Sequence, residues 1–281
     1  NSYYHYIKEM KIFKHRFDLK QEIMGINNLS FVPTMGGLHS GHKFLIKKAK
    51  KKSKTVIVSI YVNPKQFNSK KDYKSYPRNL KKDLKILKKL KVDIVYTPSF
   101  NDIFSFKTKN KIFLDSFSKK LCGKYRKSHF AGVLNVVNRL LETINPKFIL
   151  LGKKDFQQLY LIKKHIIKNK IKTNIIACNT IREKNGIACS SRNQNLSKKN
   201  LLIAAKVYLY LKYQKKFLLK SKSLRLFKKK CILKLYDLGV TKVDYIDFLN
   251  LKTLKEPKLK SSSFNIFISY YINKTRLIDN F

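Results

Sequence analysis

Short apolar runs alternate with amphipathic stretches over the first 180 residues of the chain. Leu29 to Val32 and Thr55 to Val62 are continuous runs, the second rich in β-branched residues, as expected for strands covered on both faces. Asp93 to Thr97, Lys147 to Leu151 and Asn174 to Ala177 add three more strands, the first ended by Pro98. Helical periodicity fills the gaps. It covers Phe44 to Lys52, Phe156 to Ile167, and Asn79 to Lys91, whose Leu80, Leu84, Leu87 and Leu90 form one stripe. A further helix carries Val133, Val136, Val137, Leu140, Leu141 and Ile144. This alternation predicts an α/β fold, an open parallel sheet with flanking helices. After about Asn179 the pattern changes. Two helices, Lys198 to Leu219 and Ser223 to Leu238, precede strand-like runs at Val243 to Leu249 and Phe264 to Ile272, separated by a Pro/Lys/Ser linker at Glu256 to Ser263. We expect a first domain over residues 1–180 and a smaller C-terminal α+β domain over residues 181–281.

Composition alters this picture mainly by exclusion. The net charge is +47, which invites a nucleic-acid reading. Of the 63 basic residues, however, eight are arginine, leaving 55 lysines. Base and phosphate recognition favours arginine's bidentate fork. Lysine accompanied by abundant Asn, Ile, Tyr and Phe points instead to drift towards AT-rich codons on solvated faces. No specific nucleic-acid partner is expected. The four cysteines contain no CxxC pair, which fits a reducing cytoplasm better than a disulfide scaffold or a zinc site. No apolar run reaches the length of a membrane span, and the N-terminus has no signal-peptide pattern. A cytoplasmic protein without membrane attachment is expected.

Ligands of open α/β sheets bind at the carboxyl ends of the strands, so the polar segments there carry the candidate chemistry. The first strand runs into Pro33-Thr34-Met35-Gly36-Gly37-Leu38-His39-Ser40-Gly41-His42. This reads as strand, glycine-bearing turn and helix N-terminus, with two histidines on one side of the first turn. A helix N-terminus offers free N–H groups and partial positive charge to a phosphate, and glycine admits a bulky anion. Two bland alternatives stand beside phosphate handling: a surface turn, and a zinc site, which needs a third ligand not found nearby in sequence. Pro64 stops the next strand and leaves Asn63 and Gln66 at its end, amides suited to a hydroxy acid. Lys124 to Phe130 precedes a helix led by Gly132, and His129 there is more often structural than chemical. Gly152-Lys153-Lys154-Asp155-Phe156-Gln157-Gln158 offers a lysine for phosphate and a carboxylate for ribose hydroxyls, although Asp155 is equally a helix N-cap. Ser190-Ser191-Arg192-Asn193 suits the outer phosphates of a nucleotide.

Taken together in order, these segments resemble the pantoate–β-alanine ligase (pantothenate synthetase) family. The resemblance rests on PTMGGLHSGH, SIYVNPKQF, YPR at Tyr76 to Arg78, HFAGV, GKKDFQQL and SSRN, and extends to the closing Arg276-Leu277-Ile278-Asp279-Asn280. The paired histidines alone would indicate only the wider class of nucleotidyltransferases and class I aminoacyl-tRNA synthetases. The resemblance implies a Rossmann-like sheet with helices on both faces, a C-terminal domain acting as a lid, and a homodimer. It implies a ligase in which pantoate reacts with Mg·ATP to give pantoyl adenylate, which β-alanine then converts to pantothenate. By the same resemblance His39, His42, Lys154 and Arg192 are catalytic. Met35, His42, Gly152, Lys154, Asp155, Ser190, Ser191 and Arg192 would bind ATP. Gln66 and Gln158 would bind pantoate, and Asn63 and Tyr76 β-alanine. Magnesium would be held by the ATP phosphates rather than by protein side chains. Another nucleotidyltransferase, or a basic nucleic-acid-binding protein without catalysis, remains the alternative. The chain departs from the family pattern at Ser128, Ala131, Lys153 and Asn185, and loosened support is expected at Ala131 and Asn185.

Overall fold

The computed structural model describes residues 9–221, 223–257 and 263–281. Most of the linker expected at Glu256 to Ser263, namely residues 258–262, lies outside the described residues, as do residues 1–8 of the first expected domain. Strand β1 (Lys11–Phe13) and helix α1 (Arg16–Glu22) come first. Then follow β2 (Leu29–Thr34), α2 (Ser40–Lys50), β3 (Thr55–Ile60), α3 (Lys70–Ser75), α4 (Leu80–Lys89) and β4 (Ile94–Tyr96). Next are α5 (Phe100–Phe104), α6 (Cys122–Tyr125), α7 (His129–Ile144), β5 (Phe148–Gly152), α8 (Phe156–Lys168) and β6 (Asn174–Cys178). The chain closes with α9 (Lys198–Gln214), α10 (Leu224–Asp237), β7 (Lys242–Leu249), β8 (Asn265–Ile272) and β9 (Thr275–Asn280).

The first six strands form one sheet in the order β1-β4-β3-β2-β5-β6, with every pairing parallel. Side-chain alternation explains its two covered faces. Phe31, Ile57 and Ile149 point into a core with α7 and α8, whereas Val32, Val56, Val58 and Leu150 pack against Ile46 of α2 and Leu87 of α4. The chain winds from β2 to β3 and β4 on one side, then returns to β5 and β6 on the other. The carboxyl ends of β2 and β5 therefore flank a switch-point crevice, where such sheets bind ligands.

The last three strands form an antiparallel sheet, β7-β8-β9. One face packs with α9 and α10 through Ile246, Ile266, Ile268, Leu211 and Leu235. Tyr245, Leu249 and Phe267 from the other face join the core of the large sheet. The small sheet is thus seated on the first by apolar burial, worth about 1.5–3 kcal/mol per fully buried large side chain.

Several expectations shift. β1, α1, α3, α5, α6 and β9 are absent from the elements that the pattern predicts. They are short or amphipathic, and Phe17 and Met24 stay 70% and 79% exposed. β3 stops at Ile60 rather than Val62, and α9 at Gln214 rather than Leu219. α7 begins at His129, ahead of Gly132. In α4 Leu87 is buried and Leu84 and Leu90 pack partly, but Leu80 is 45% exposed; Asp83 turns inward instead, 2% exposed.

Candidate active site

Thr34 ends β2, and the chain turns through Gly36 and Gly37, both with positive φ. A Cβ on Gly36 would lie 2.9 Å from Asp83 Oδ2, so the turn admits no side chain there. The carboxylate of Asp83 holds this turn: Oδ2 accepts from Gly37 N and Oδ1 from Leu38 N, each at 2.9 Å. Sequence reading missed Asp83. Its only signal was an acidic residue beside the apolar stripe of a lysine-rich helix.

The turn delivers His39 to the N-cap of α2 and His42 to the third helical position. The two form a reciprocal cap. Nδ1 of His39 accepts from Gly41 N at 3.1 Å, and Nδ1 of His42 accepts from His39 N at 3.4 Å. Because backbone N–H groups occupy both Nδ1 atoms, each neutral ring carries its proton on Nε2. The rings lie 4.0 Å apart, centroid to centroid. Burial and the nearby Lys154 ammonium push His39 down to about 4. Burial, His39 and Lys154 hold His42 well below its ordinary value. At neutral pH the pair therefore presents two N–H donors without adding charge.

Across the crevice, β5 ends at Gly152, and Lys154 and Asp155 follow in a single turn of 3-10 helix, their charged groups 3.8 Å apart. The turn is fastened from the small sheet: Asn280 Nδ2 donates to the carbonyls of Lys153 at 3.0 Å and Lys154 at 2.7 Å. The Ser190 loop is fastened likewise, through Arg182 on Asp279 (2.7 and 3.0 Å) and on the Gly186 carbonyl (3.0 Å). Ser191 Oγ lies 3.0 Å from Tyr76 Oη. Arg192 reaches Asp72 of α3 at 3.0 and 3.1 Å.

One cleft, of about 310 Å³, is lined by every candidate residue except Asn63. It brings together His39, His42, Lys154 and Arg192, and also Met35, Gly152, Asp155, Ser190 and Ser191. Gln66, Tyr76 and Gln158 line it too. Gln66 Nε2 lies 2.7 Å from Met35 Sδ. The neighbouring glutamines divide their work. Both line the cleft, but the Gln157 side chain is buried and bonded to Cys122 N and to the carbonyls of Phe117 and Lys120, whereas the Gln158 side chain makes no hydrogen bond to another described residue.

Asn63, expected beside the amine substrate, lies behind the cleft wall. It is fully buried, with Nδ2 on the Gly132 carbonyl at 3.1 Å and Oδ1 accepting from Lys65 N at 3.2 Å. A Cβ on Gly132 would lie 2.4 Å from the Lys65 carbonyl oxygen. Asn63 thus ties the turn after β3, which carries Gln66, to α7. His129 likewise braces Gln66: its Nδ1–H donates to the Gln66 carbonyl at 2.7 Å, leaving Nε2 to accept from Arg126 at 3.2 Å.

The departures from the family pattern are accommodated. Ser128 sits at φ 67°, a left-handed position where glycine is cheaper. Asn185 keeps its turn by accepting from Ile187 N at 3.2 Å. Lys153 donates to Asn179 Oδ1 at 2.8 Å, and Ala131 is exposed. Support is retained at Asn185, where loosening was expected.

The neutral histidines predict acid lability. In the folded chain His39 and His129 resist protonation down to about 4 and about 3, both mainly through burial. Unfolded, each takes up a proton near pH 6.5, so protons favour the unfolded chain. Their contribution to stability is complete above about pH 6.5 and drains away as pH falls towards those lower values, by about 1.4 kcal/mol per pH unit per histidine. The urea midpoint should therefore drop between pH 7 and pH 5. His129→Asn should flatten that slope, and equal slopes for the two proteins would show that His129 is not held neutral.

Fold and cleft define an α/β enzyme of the class that handles nucleotide phosphates at a paired-histidine helix N-terminus. Comparison with known proteins narrows this. The family model for pantoate-beta-alanine ligase matches residues 5–281. A pantothenate synthetase of Clostridium botulinum (strain ATCC 19397 / Type A) is 40% identical over 255 residues, covering 90% of this chain and 91% of that protein. The solved pantoate-beta-alanine ligase of Francisella tularensis is 38% identical with a TM-score of 0.82, covering 97% of each chain. A pantothenate synthetase structure from Thermus thermophilus aligns at a TM-score of 0.88 and 27% identity, covering 97% of this chain and 99% of that one. The chain belongs to the pantoate–β-alanine ligase family. It is a ligase that joins pantoate to β-alanine to form pantothenate.

Proposed function

We propose that the cleft performs this ligation in two half-reactions driven by ATP. In the first, a pantoate carboxylate oxygen attacks the α-phosphorus of Mg·ATP, the bond to the β-phosphate oxygen breaks, and pyrophosphate leaves with the electron pair. In the second, the free amine of β-alanine attacks the acyl carbon of pantoyl adenylate, AMP leaves, and the amine loses a proton. The observation that carries this reading is the reciprocal histidine cap facing Lys154 across the switch-point crevice. The Francisella tularensis enzyme, described as complexed with β-γ ATP and β-alanine, supports it.

His39 and His42 donate their Nε2–H groups to phosphate oxygens that gain charge as pyrophosphate departs, and Lys154 supplies the positive charge. Gly152 and Asp155 take the ribose, while Met35 lies beside the reacting groups. Ser190, Ser191 and Arg192 take the outer phosphates, Arg192 leaving Asp72 to do so. Gln66 and Gln158 orient pantoate through its hydroxyls. Tyr76 borders the amine. Adenylation of this kind relies on in-line positioning and charge neutralisation rather than on a protein nucleophile. Magnesium enters as Mg·ATP, held by the phosphates.

The reading includes a homodimer formed through residues 1–180, a lid made by residues 181–281, and a cytoplasmic location. The exposed Ile12 on β1, Phe17 on α1 and Met24 just after it, and the buried free thiols, support the first and last of these. Light scattering tests the dimer. The chemistry is tested by AMP release with ATP, pantoate and β-alanine, each omitted in turn. AMP should require all three, while pantoate alone should drive exchange of labelled pyrophosphate into ATP. Absence of both signals would remove the reading.

A further inference from the structure

Residues 67–78 link the turn after β3 to α4 and carry the six-residue helix α3. No side chain of α3 is buried. Tyr73 gives it a modest anchor: its ring meets Phe67 edge-on at 5.4 Å and lies under the Arg78 guanidinium at 4.2 Å. A segment with so little apolar burial is held weakly by packing. Two polar contacts fasten it to the Ser190 loop. Ser191 Oγ lies 3.0 Å from Tyr76 Oη, and Nη2 of Arg192 meets both carboxylate oxygens of Asp72, at 3.0 and 3.1 Å. Both elements also close on the histidine turn. A Cβ on Gly37 would lie 3.0 Å from Ser191 Cβ and 3.3 Å from the Pro77 carbonyl oxygen. Arg192 sits in cationic company. Arg126 is repelled by Arg192 and by Arg276, and Asp72 stands 3.9 Å from Arg126 as well. The Arg192 side chain is 19% exposed, so water screens it only in part and a counter-ion is worth keeping.

Ser191 and Arg192 are the groups that the two-step reading gives to the outer phosphates. Resting on that reading, we infer that Asp72 is an internal surrogate for those phosphates. It occupies Arg192 in the ligand-free enzyme, is displaced when the triphosphate arrives, and takes Arg192 back when pyrophosphate leaves. The chemistry of the exchange is simple: a carboxylate oxygen and a phosphate oxygen accept from the same guanidinium N–H groups. No covalent bond forms or breaks. Asp72 touches no substrate and acts through Arg192, so it is a positioning residue. Two consequences follow from the competition. ATP binds more weakly than the phosphate donors alone would allow, because the Asp72–Arg192 pair must first part. Pyrophosphate leaves more readily for the same reason, although the groups that hold it are those that helped to expel it. AMP carries no outer phosphate and is indifferent to the exchange. Because α3 has so few other attachments, its fastening to the Ser190 loop follows the occupancy of the phosphate site.

Calorimetry with two probes tests the exchange: the magnesium complex of α,β-methylene ATP, which cannot be split at the reacting bond, and AMP. Asp72→Asn removes the charge and keeps the size of the side chain. It should bind α,β-methylene ATP about 3- to 10-fold more tightly, between the worth of an exposed ion pair and that of a charge-assisted hydrogen bond. Its affinity for AMP should stay within about twofold of the unmodified enzyme, the scatter of an exposed charge. Inhibition by pyrophosphate should strengthen by the same factor as analogue binding. Asp72→Glu, which restores the charge, should reverse most of both effects. In an Arg192→Gln background, Asp72→Asn should no longer tighten the analogue, a coupling that a packing role would not produce. Unchanged or weaker analogue binding by Asp72→Asn would overturn the inference, and so would AMP affinity moving in step with it. A different result would strike the underlying reading. If Arg192→Gln failed to weaken the analogue even with Asp72→Asn in place, the outer phosphates would not lie at the Ser190 loop.

Discussion

Replacing His42 by alanine should slow pantoate-dependent pyrophosphate exchange by about 10²- to 10³-fold, the cost of one donor removed from a developing oxyanion. The cause is specific. His42 accepts from His39 N through Nδ1, so the group aimed outward is an Nε2–H donor. Held well below its ordinary pKa by burial and by its cationic neighbourhood, the ring is neutral at working pH. It contributes direction rather than charge. His42→Asn is the sharper variant. Its side-chain oxygen can still accept from His39 N and keep the helix cap, but its reach is too short to replace Nε2. Both variants should lose activity alike, with kcat falling more than ATP affinity, and both should melt within a few degrees of the unmodified protein. Turnover within threefold of normal in either would refute the assigned role. For the same reason the free enzyme should show no inflection near pH 6.5 from this pair.

Asp83→Ala should be nearly as damaging, although Asp83 touches no substrate in the proposed scheme. Its carboxylate satisfies two buried N–H groups, those of Gly37 and Leu38. Removing it orphans both, at about 1–3 kcal/mol each. The turn that presents the histidines then loses its anchor to α4. We expect a lower melting temperature together with a loss of exchange activity of about 10²-fold. Asp83→Asn, which keeps one acceptor but sets an amide donor against a backbone donor, should fall between. If Asp83→Ala destabilised the protein without slowing exchange, the turn would be held by something other than this carboxylate.

The two cases differ in how far the chain alone revealed them. The histidines were legible because glycine, histidine and helix N-terminus form one local unit, and their capping partners lie within three residues. Asp83 and its partners are 45 and 46 residues apart, so no periodicity joins them. The bracing role of Asn63 was hidden for a related reason. An amide at a strand's end looks available until α7, 69 residues later, places the Gly132 carbonyl against it. Gln157 and Gln158 are adjacent, and only packing shows which amide is already taken up by the protein. β9 escaped notice because its alternation is weak, yet Arg276, Asp279 and Asn280 on it brace the cleft from the small sheet.

By itself, then, the sequence determined the parallel sheet, the flanking helices, and the strand-end segments that carry the chemistry, because hydrophobic period and turn residues act over a few positions. The tertiary structure decided the strand order that sets Lys154 opposite the histidine pair, the tautomers of both rings, the anchoring carboxylate of Asp83, and the meeting of Arg126, Arg192 and Arg276. Those depend on groups brought together from distant segments, where burial and unpaired charge, rather than local propensity, settle which side chain does what.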